Sequence, residues 1–347
     1  MIAPSLIDSA NALMVSGKGL LAMDESNGTC NARFAAAGLP QTSEARRAYR
    51  EMLLTASGLS DGISGAILYD ETIRQHAADG TTFVKILATS GIMIGIKVDI
   101  GAKSLAAHEG ETVTEGLDGL RERLKSYFEM GARFAKWRGV ITLGSAGSHF
   151  PSRGAVQANA HALARYASMC QEAGLVPVVE PEVLMTGDHT MQRCEEATSS
   201  VLRQLFRSLA EQRVILEALI LKTNMVLPGL ECAAQPDPQE VAEATVRCLH
   251  RVVPCAVAGV AFLSGGQSGT QASQRLNAMH GPLQLLRGRS LPWPLTFSFS
   301  RALQYPALDV WAGEGSTRAA AQSALMHRVR CNQAALCGQY SAATESA

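Results

Sequence analysis

The feature that most constrains this chain is a series of eight short apolar runs rich in strand formers, at 20–23, 66–69, 93–98, 134–140, 176–179, 219–221, 260–263 and 295–299. Successive runs begin 27 to 46 residues apart, room each time for a loop, a crossover helix and the next strand. The segments between them carry helical spacing: Ala45, Tyr49, Met52, Leu53 and Ala56 form one stripe, and Leu117, Leu120, Leu124 and Phe128 another. Asp237-Pro238-Gln239-Glu240 marks a helix start, with a capping aspartate, Pro at the first helical position and Glu at the third. Gly338 marks the end of a last helix over 319–336. Strand and helix alternating eight times predict an α/β chain closed into a (β/α)8 TIM barrel, one domain over 1–347 with a short tail after residue 338. An open doubly wound sheet is the alternative, but Met23-Asp24-Glu25-Ser26-Asn27-Gly28 after the first run lacks the glycine-rich fingerprint such sheets carry. The Gly/Ser-rich stretch 144–154 directly follows a strand and reads as a βα loop, not a domain boundary.

Charge decides what the chain can hold. Lys+Arg 31 balance Asp+Glu 31, so no global field grips nucleic acid or an anionic membrane, and an anionic ligand needs a local cluster. The apolar run around 252–262 is interrupted by Pro254 and Gly259 and is about half of the roughly 20 residues that span a bilayer. The first 30 residues hold one basic residue, Lys18, unlike a signal or transit sequence. Eight cysteines without a CxxC pair point to a reducing compartment, hence a cytoplasmic protein, with a processed plastid protein as the alternative. The eight histidines show no HxH, HxxH or HExxH spacing, so neither a metal nor a cofactor is expected.

Each apolar run ends in or just before a polar residue: Asp24, Asp70, Lys97 with Asp99, Lys136 with Arg138, Glu180 with Glu182, Lys222 with Asn224, Ser264, and Arg301. In a barrel these share the carboxyl rim, where active sites are built. One strand-end charge is ordinary, but the i, i+2 pairs point to a common face. If that face is the interior, unpaired ions there cost several kcal/mol each, so they pair or bind something. Lys222, ending an apolar strand, reads equally as a snorkelling rim lysine and as a nucleophile. If strand order follows chain order, Lys136 and Glu180 share its rim. A neighbouring cation and partial burial both favour the free amine that attacks a ketone or aldehyde, so the constellation fits Schiff-base chemistry. Ser264-Gly265-Gly266 after the seventh run and Arg301 after the eighth stand where barrels commonly bind phosphate, although a glycine turn alone is weak. Lys97, Arg138, Ser26 and Thr29 form a second patch across the rim. Two phosphate sites flanking a reactive lysine imply a bisphosphate.

GKGLLAMDES at 17–26, GIKVD at 95–99, FAKWR at 134–138, VEPE at 179–182, LKTNM at 221–225, FLSGGQS at 262–268 and LTFS at 295–298 resemble the class I fructose-bisphosphate aldolases. The resemblance runs in order from about residue 8 to residue 340. It implies a metal-free barrel enzyme, a homotetramer, acting on a sugar bisphosphate. By resemblance Lys222 forms the iminium with the C2 ketone, and Asp24 takes the C4 hydroxyl proton. Lys136 stabilises charge beside it, and Glu180 drives carbinolamine dehydration with Glu182 in support. Ser264, Gly265, Ser300 and Arg301 would hold the C1 phosphate. Ser26, Thr29, Lys97 and Arg138, with Arg33 nearby, would hold the C6 phosphate. Reversible cleavage of fructose 1,6-bisphosphate is the reading that follows. The alternatives are a preference for sedoheptulose 1,7-bisphosphate and a catalytically weak binding or scaffold relative.

Three departures accompany the resemblance. Ala218 and Thr223 replace a Gly and a Pro around the lysine, and Ser300 stands where the family has Gly, a strain if the site needs positive φ. The chain also stops at Ala347, seven residues after Tyr340, with nothing aligned to the family's final tyrosine. From this the expectation is that C3 proton transfer limits turnover.

Overall fold

The computed structural model describes residues 2–144, 148–281 and 291–346. Among these residues there are ten strands: β1 (Gly19–Ala22), β2 (Ile63–Leu68), β3 (Met93–Lys97), β4 (Ala102–Ser104), β5 (Thr112–Thr114), β6 (Phe134–Ile141), β7 (Val176–Val183), β8 (Ile220–Thr223), β9 (Gly259–Phe262) and β10 (Leu295–Phe299). Eight of them close a barrel in which every neighbouring pair is parallel and chain order is spatial order, β10 returning to β1. The eight apolar runs are these strands. β2 starts earlier than its run, and β7 extends past it through Glu180, Pro181 and Glu182. Polar side chains end an apolar run without ending a ladder, because the ladder is made by backbone groups.

Strand alternation sorts the side chains. Leu20, Ala22, Ile67, Phe134, Val176, Val178, Ile220 and Ala261 form one buried cluster inside the barrel, together with Leu6, Ala10, Leu13 and Met14, so the helix Ile2–Leu13 packs its apolar face onto this interior. The intervening residues, among them Ala135, Trp137, Val179, Leu221, Val260 and Phe262, join the larger cluster that the surrounding helices cover. Two glycines make the interior possible. A Cβ on Gly95 would sit 2.2 Å from the Phe134 ring, and one on Gly259 2.3 Å from Met14 Cε. Two residues further along each interior row stand Asp24, Lys136, Glu180 and Lys222, so the apolar filling is topped by a layer of ions.

The helix Pro238–Val252 has both bonds of its capping box, Glu240 N donating to Asp237 Oδ1 (2.9 Å) and Asp237 N to Glu240 Oε2 (3.0 Å). The last long helix is Arg318–Leu336, with Gly338 beyond it at φ +68°. The stripe from Leu117 becomes helical at Leu120, because Gly119 at φ +63° caps Leu120–Glu129. The β4–β5 hairpin was not expected from the sequence: Ala102, Lys103 and Ser104 are all exposed and carry no apolar alternation. Of the stretch 144–154, residues 145–147 lie outside the described residues; β6 precedes it and the helix Arg153–Glu172 begins at its end. Among the described residues, no helix is long and apolar enough to cross a membrane.

Candidate active site

A cavity of about 1040 Å³ opens at the carboxyl ends of the barrel strands. Eight cations against six carboxylates line it, so its walls favour anions although the chain as a whole is neutral. Its floor is a continuous chain of ions. Lys136 Nζ lies 2.7 Å from Asp24 Oδ2 and 3.1 Å from Glu180 Oε2, and Lys222 Nζ lies 2.9 Å from Glu180 Oε1. Lys136, Glu180 and Lys222 are each 3% exposed. Burying such groups is costly, and each of the three touches a group of opposite type.

The two lysines are not equivalent. Burial works against the charge on Lys136, but Asp24 and Glu180 on either side outweigh it and hold the ammonium well above the usual lysine range. Among the described residues, Lys222 pairs with one carboxylate, that of Glu180. Burial likewise opposes ionisation of Glu180, and Lys136, Lys222 and Arg138 together hold it below the usual carboxylate range. The sequence placed Lys136, Glu180 and Lys222 on one rim; in the structure the Glu180 carboxylate stands between the two lysines and meets both.

One wall gathers the second cationic patch. Lys97 Nζ bonds Asp99 Oδ1 and the Asp99 carbonyl, both at 2.7 Å, while Asp99 Oδ2 accepts from Arg138 N at 3.2 Å. Arg138 is ion-paired to Glu182, the register Arg138↔Glu180 and Val140↔Glu182 placing the two on adjacent strands. Ser26 caps the helix Asn27–Ala36, its Oγ accepting from Thr29 N (3.3 Å) and meeting Thr29 Oγ1 at 3.0 Å. Ser26, Thr29, Lys97 and Arg138 all line the cavity, and hydroxyls at a helix N-terminus and cations are groups whose chemistry suits an anion.

Ser264, Gly265 and Arg301 line the cavity on the β9–β10 side. Gly265 and Gly266 adopt φ +57° and +85°, the left-handed region that favours glycine, and turn Ser264 toward the cavity ahead of the helix Gly269–His280. Arg301 opens the helix Arg301–Trp311 and, among the described residues, pairs with no carboxylate. Ser300 has φ −105°, so a side chain fits without left-handed strain, and the expected penalty for replacing glycine does not arise. Its hydroxyl donates to Glu25 Oε1 at 2.6 Å and accepts from Arg33 Nη2 at 3.3 Å. Arg33, placed by resemblance with the C6 phosphate, is therefore held against Glu25 and Ser300, with its guanidinium 5.5 Å from the Tyr305 ring centre.

Glu25 and Arg50 were missed in the sequence. Glu25 Oε2 lies 2.6 Å from Arg50 Nη2, in an arginine only 2% exposed. Burial opposes its charge, but Arg50, Arg33 and the Ser300 hydroxyl keep the carboxyl below its ordinary 4.5. The available signal was an arginine beside Tyr49 and Met52 on the apolar side of the helix Ser43–Leu54.

A family model described as fructose-bisphosphate aldolase class-I matches residues 5–347. A probable fructose-bisphosphate aldolase class 1 of Xanthomonas campestris pv. campestris is 52% identical over 336 residues, covering 96% of this chain and 98% of the relative. The fructose-bisphosphate aldolase of Dictyostelium discoideum is 47% identical over 97% of this chain and 93% of its own. Among solved structures, a fructose-bisphosphate aldolase from Plasmodium falciparum, in complex with TRAP and a small-molecule inhibitor, superposes with a TM-score of 0.94. It is 43% identical, over 98% of this chain and 96% of that one.

Proposed function

The chain belongs to the class I fructose-bisphosphate aldolases, a family of carbon–carbon lyases, and from that premise we propose that it cleaves fructose 1,6-bisphosphate reversibly through a Schiff base on Lys222. The observation that carries this reading is the buried chain Asp24–Lys136–Glu180–Lys222 at the floor of a cavity lined by more cations than carboxylates. The free amine of Lys222 adds to the C2 carbonyl, giving up its proton, and Glu180 at 2.9 Å is the nearest acceptor. The same carboxyl returns a proton to the departing C2 hydroxyl, so that water leaves and the iminium forms. Asp24 removes the C4 hydroxyl proton as the C3–C4 bond breaks. The bonding pair flows into the iminium to give an enamine, and glyceraldehyde 3-phosphate departs. Lys136, between two carboxylates, stays an ammonium, orients Asp24 and Glu180, and is no nucleophile. Protonation at C3 and hydrolysis then release dihydroxyacetone phosphate and restore the amine.

Ser264, Gly265 and Arg301 hold one phosphate in this reading, and Ser26, Thr29, Lys97 and Arg138 the other. A cytoplasmic homotetramer belongs to the same proposal, and light scattering tests the molar mass. Reduction with borohydride in the presence of dihydroxyacetone phosphate tests the chemistry. One covalent adduct on Lys222 is expected, absent in Lys222→Met, whose circular dichroism stays native. An adduct surviving in that variant moves the nucleophile to another lysine.

A further inference from the structure

Away from the cavity, the helix Arg318–Leu336 carries His327 and Cys331 one turn apart, and therefore on one face. The imidazole Nε2 and the thiol Sγ are 3.5 Å apart. The short helix Ala342–Ser346 lies over this face, and Cys331 Sγ lies 3.6 Å from the Thr344 carbonyl oxygen. Glu345 arrives with it, so that the imidazole nitrogen, the sulfur and one carboxylate oxygen all lie within 4.8 Å of one another. A tetrahedral zinc ion, with Zn–S about 2.3 Å and Zn–N about 2.0–2.1 Å, separates sulfur from nitrogen by about 3.6 Å. The spacing present is already that of two ligands on one ion.

We propose that His327, Cys331 and Glu345 form a zinc site, with the Thr344 carbonyl or a water in the fourth position, that staples the helix Ala342–Ser346 to the helix Arg318–Leu336. The mixed nitrogen, sulfur and oxygen set suits a borderline ion and is wrong for calcium or magnesium, which take oxygen alone. Glu345 is aimed by its other partners. Arg328 Nη1 at 2.5 Å and Thr270 Oγ1 at 2.9 Å hold Oε1, and the Tyr340 hydroxyl holds Oε2. Groups of this kind orient ligating carboxylates at metal centres. On binding, the Zn–S bond replaces the S–H bond and the proton leaves to solvent; nothing is oxidised. A divalent ion, a thiolate and Glu345 sum to zero charge, leaving Arg328 as the residual cation. Cys331 is buried while His327 and Glu345 are half-buried, so an ion enters from the solvent side. None of the three lines the catalytic cavity, and the proposal stands apart from the reaction assigned above.

The test takes the full chain, stripped with a chelator and dialysed, and titrates it with zinc by calorimetry and with cobalt(II) by absorption. One ion per chain is expected. The cobalt form should show tetrahedral d–d bands and a thiolate charge-transfer band, and zinc should raise the thermal midpoint. Cys331→Ser and His327→Gln should each weaken binding at least tenfold, and the serine should erase the charge-transfer band. Replacing the exposed Cys255 or Cys337 by Ser should change neither. Should Cys331→Ser fail to fold, the native chain gives the same answer through zinc protection of Cys331 against alkylation, read by mass spectrometry. Absence of binding by the native chain, a charge-transfer band that persists without Cys331, or unprotected alkylation overturns the site.

Discussion

Ser300 stands at a phosphate-binding position by resemblance, yet its hydroxyl already has work, donating to Glu25 Oε1 at 2.6 Å. A hydroxyl committed to a buried carboxylate is costly to redirect, because the carboxylate would lose a charge-assisted bond. Glu25 keeps other partners in Arg33, Arg50 and Gln304 Nε2, the last at 2.9 Å. Ser300→Gly should therefore lower stability by about 1–2 kcal/mol. It should leave dihydroxyacetone phosphate binding unchanged or tighter. Urea denaturation and inhibition of cleavage by dihydroxyacetone phosphate measure the two quantities. Binding weakened more than about tenfold, or about 1.4 kcal/mol, would show that the hydroxyl leaves Glu25 to hold phosphate.

At the scale of a strand, the glycines facing the barrel interior decide how the ion layer is supported. Phe134 fills the space beside Gly95 and stands two residues below Lys136 on the same face of β6. Adding a methyl group at Gly95 puts carbon 2.2 Å from that ring, and a packed interior answers by shifting it. Gly95→Ala should cost about 1–3 kcal/mol. It should also lower kcat more than it raises KM, since the displaced Phe134 ring stands directly below Lys136. Thermal unfolding and steady-state kinetics together test this. An unchanged kcat in a destabilised variant would mean that the ion layer is held from above, by its own pairing.

Across the whole molecule, carboxylates held by ion pairs set the response to acid. Glu25 and Glu180 are held below their ordinary 4.5, and Glu345 is held at about 2: burial opposes its charge, but the Tyr340 hydroxyl and Arg328 outweigh it. A carboxyl depressed by folding contributes its full stabilisation above its unfolded value and loses it as the pH falls through its folded value. Stability should therefore be level from neutrality down to about pH 5 and fall steeply below 4.5, the urea midpoint tracking the loss. Glu25→Gln should flatten that acid limb. At neutral pH it should lose about 3–5 kcal/mol, because Arg50 is left charged and buried without its partner. An acid limb as steep in the variant as in the parent would assign the effect to other groups.

The period-two rows and the spacing of the apolar runs are local properties of the chain, so the eight barrel strands, the helices between them, closure into a barrel and the polar residue that ends each run were legible in the sequence, while the β4–β5 hairpin and the cavity-lining Glu25 were not. Pairing was not. Glu180 bonds lysines 44 residues before it and 42 after it, and Ser300 reaches Glu25 across 275 residues. Those meetings depend on inter-strand register and on where each loop returns, which no local pattern encodes. The same limit hid Arg50, whose burial is intelligible only once Glu25 faces it. It also hid the third ligand of the proposed zinc site: His327 and Cys331 are one helical turn apart in the sequence itself, but Glu345 joins them only because the chain folds back over that face. Sequence determined which side chains reach the rim, since alternation is a backbone property; tertiary structure alone decided which charge neutralises which, since buried ions persist only where closure of the barrel brings an opposite charge within contact.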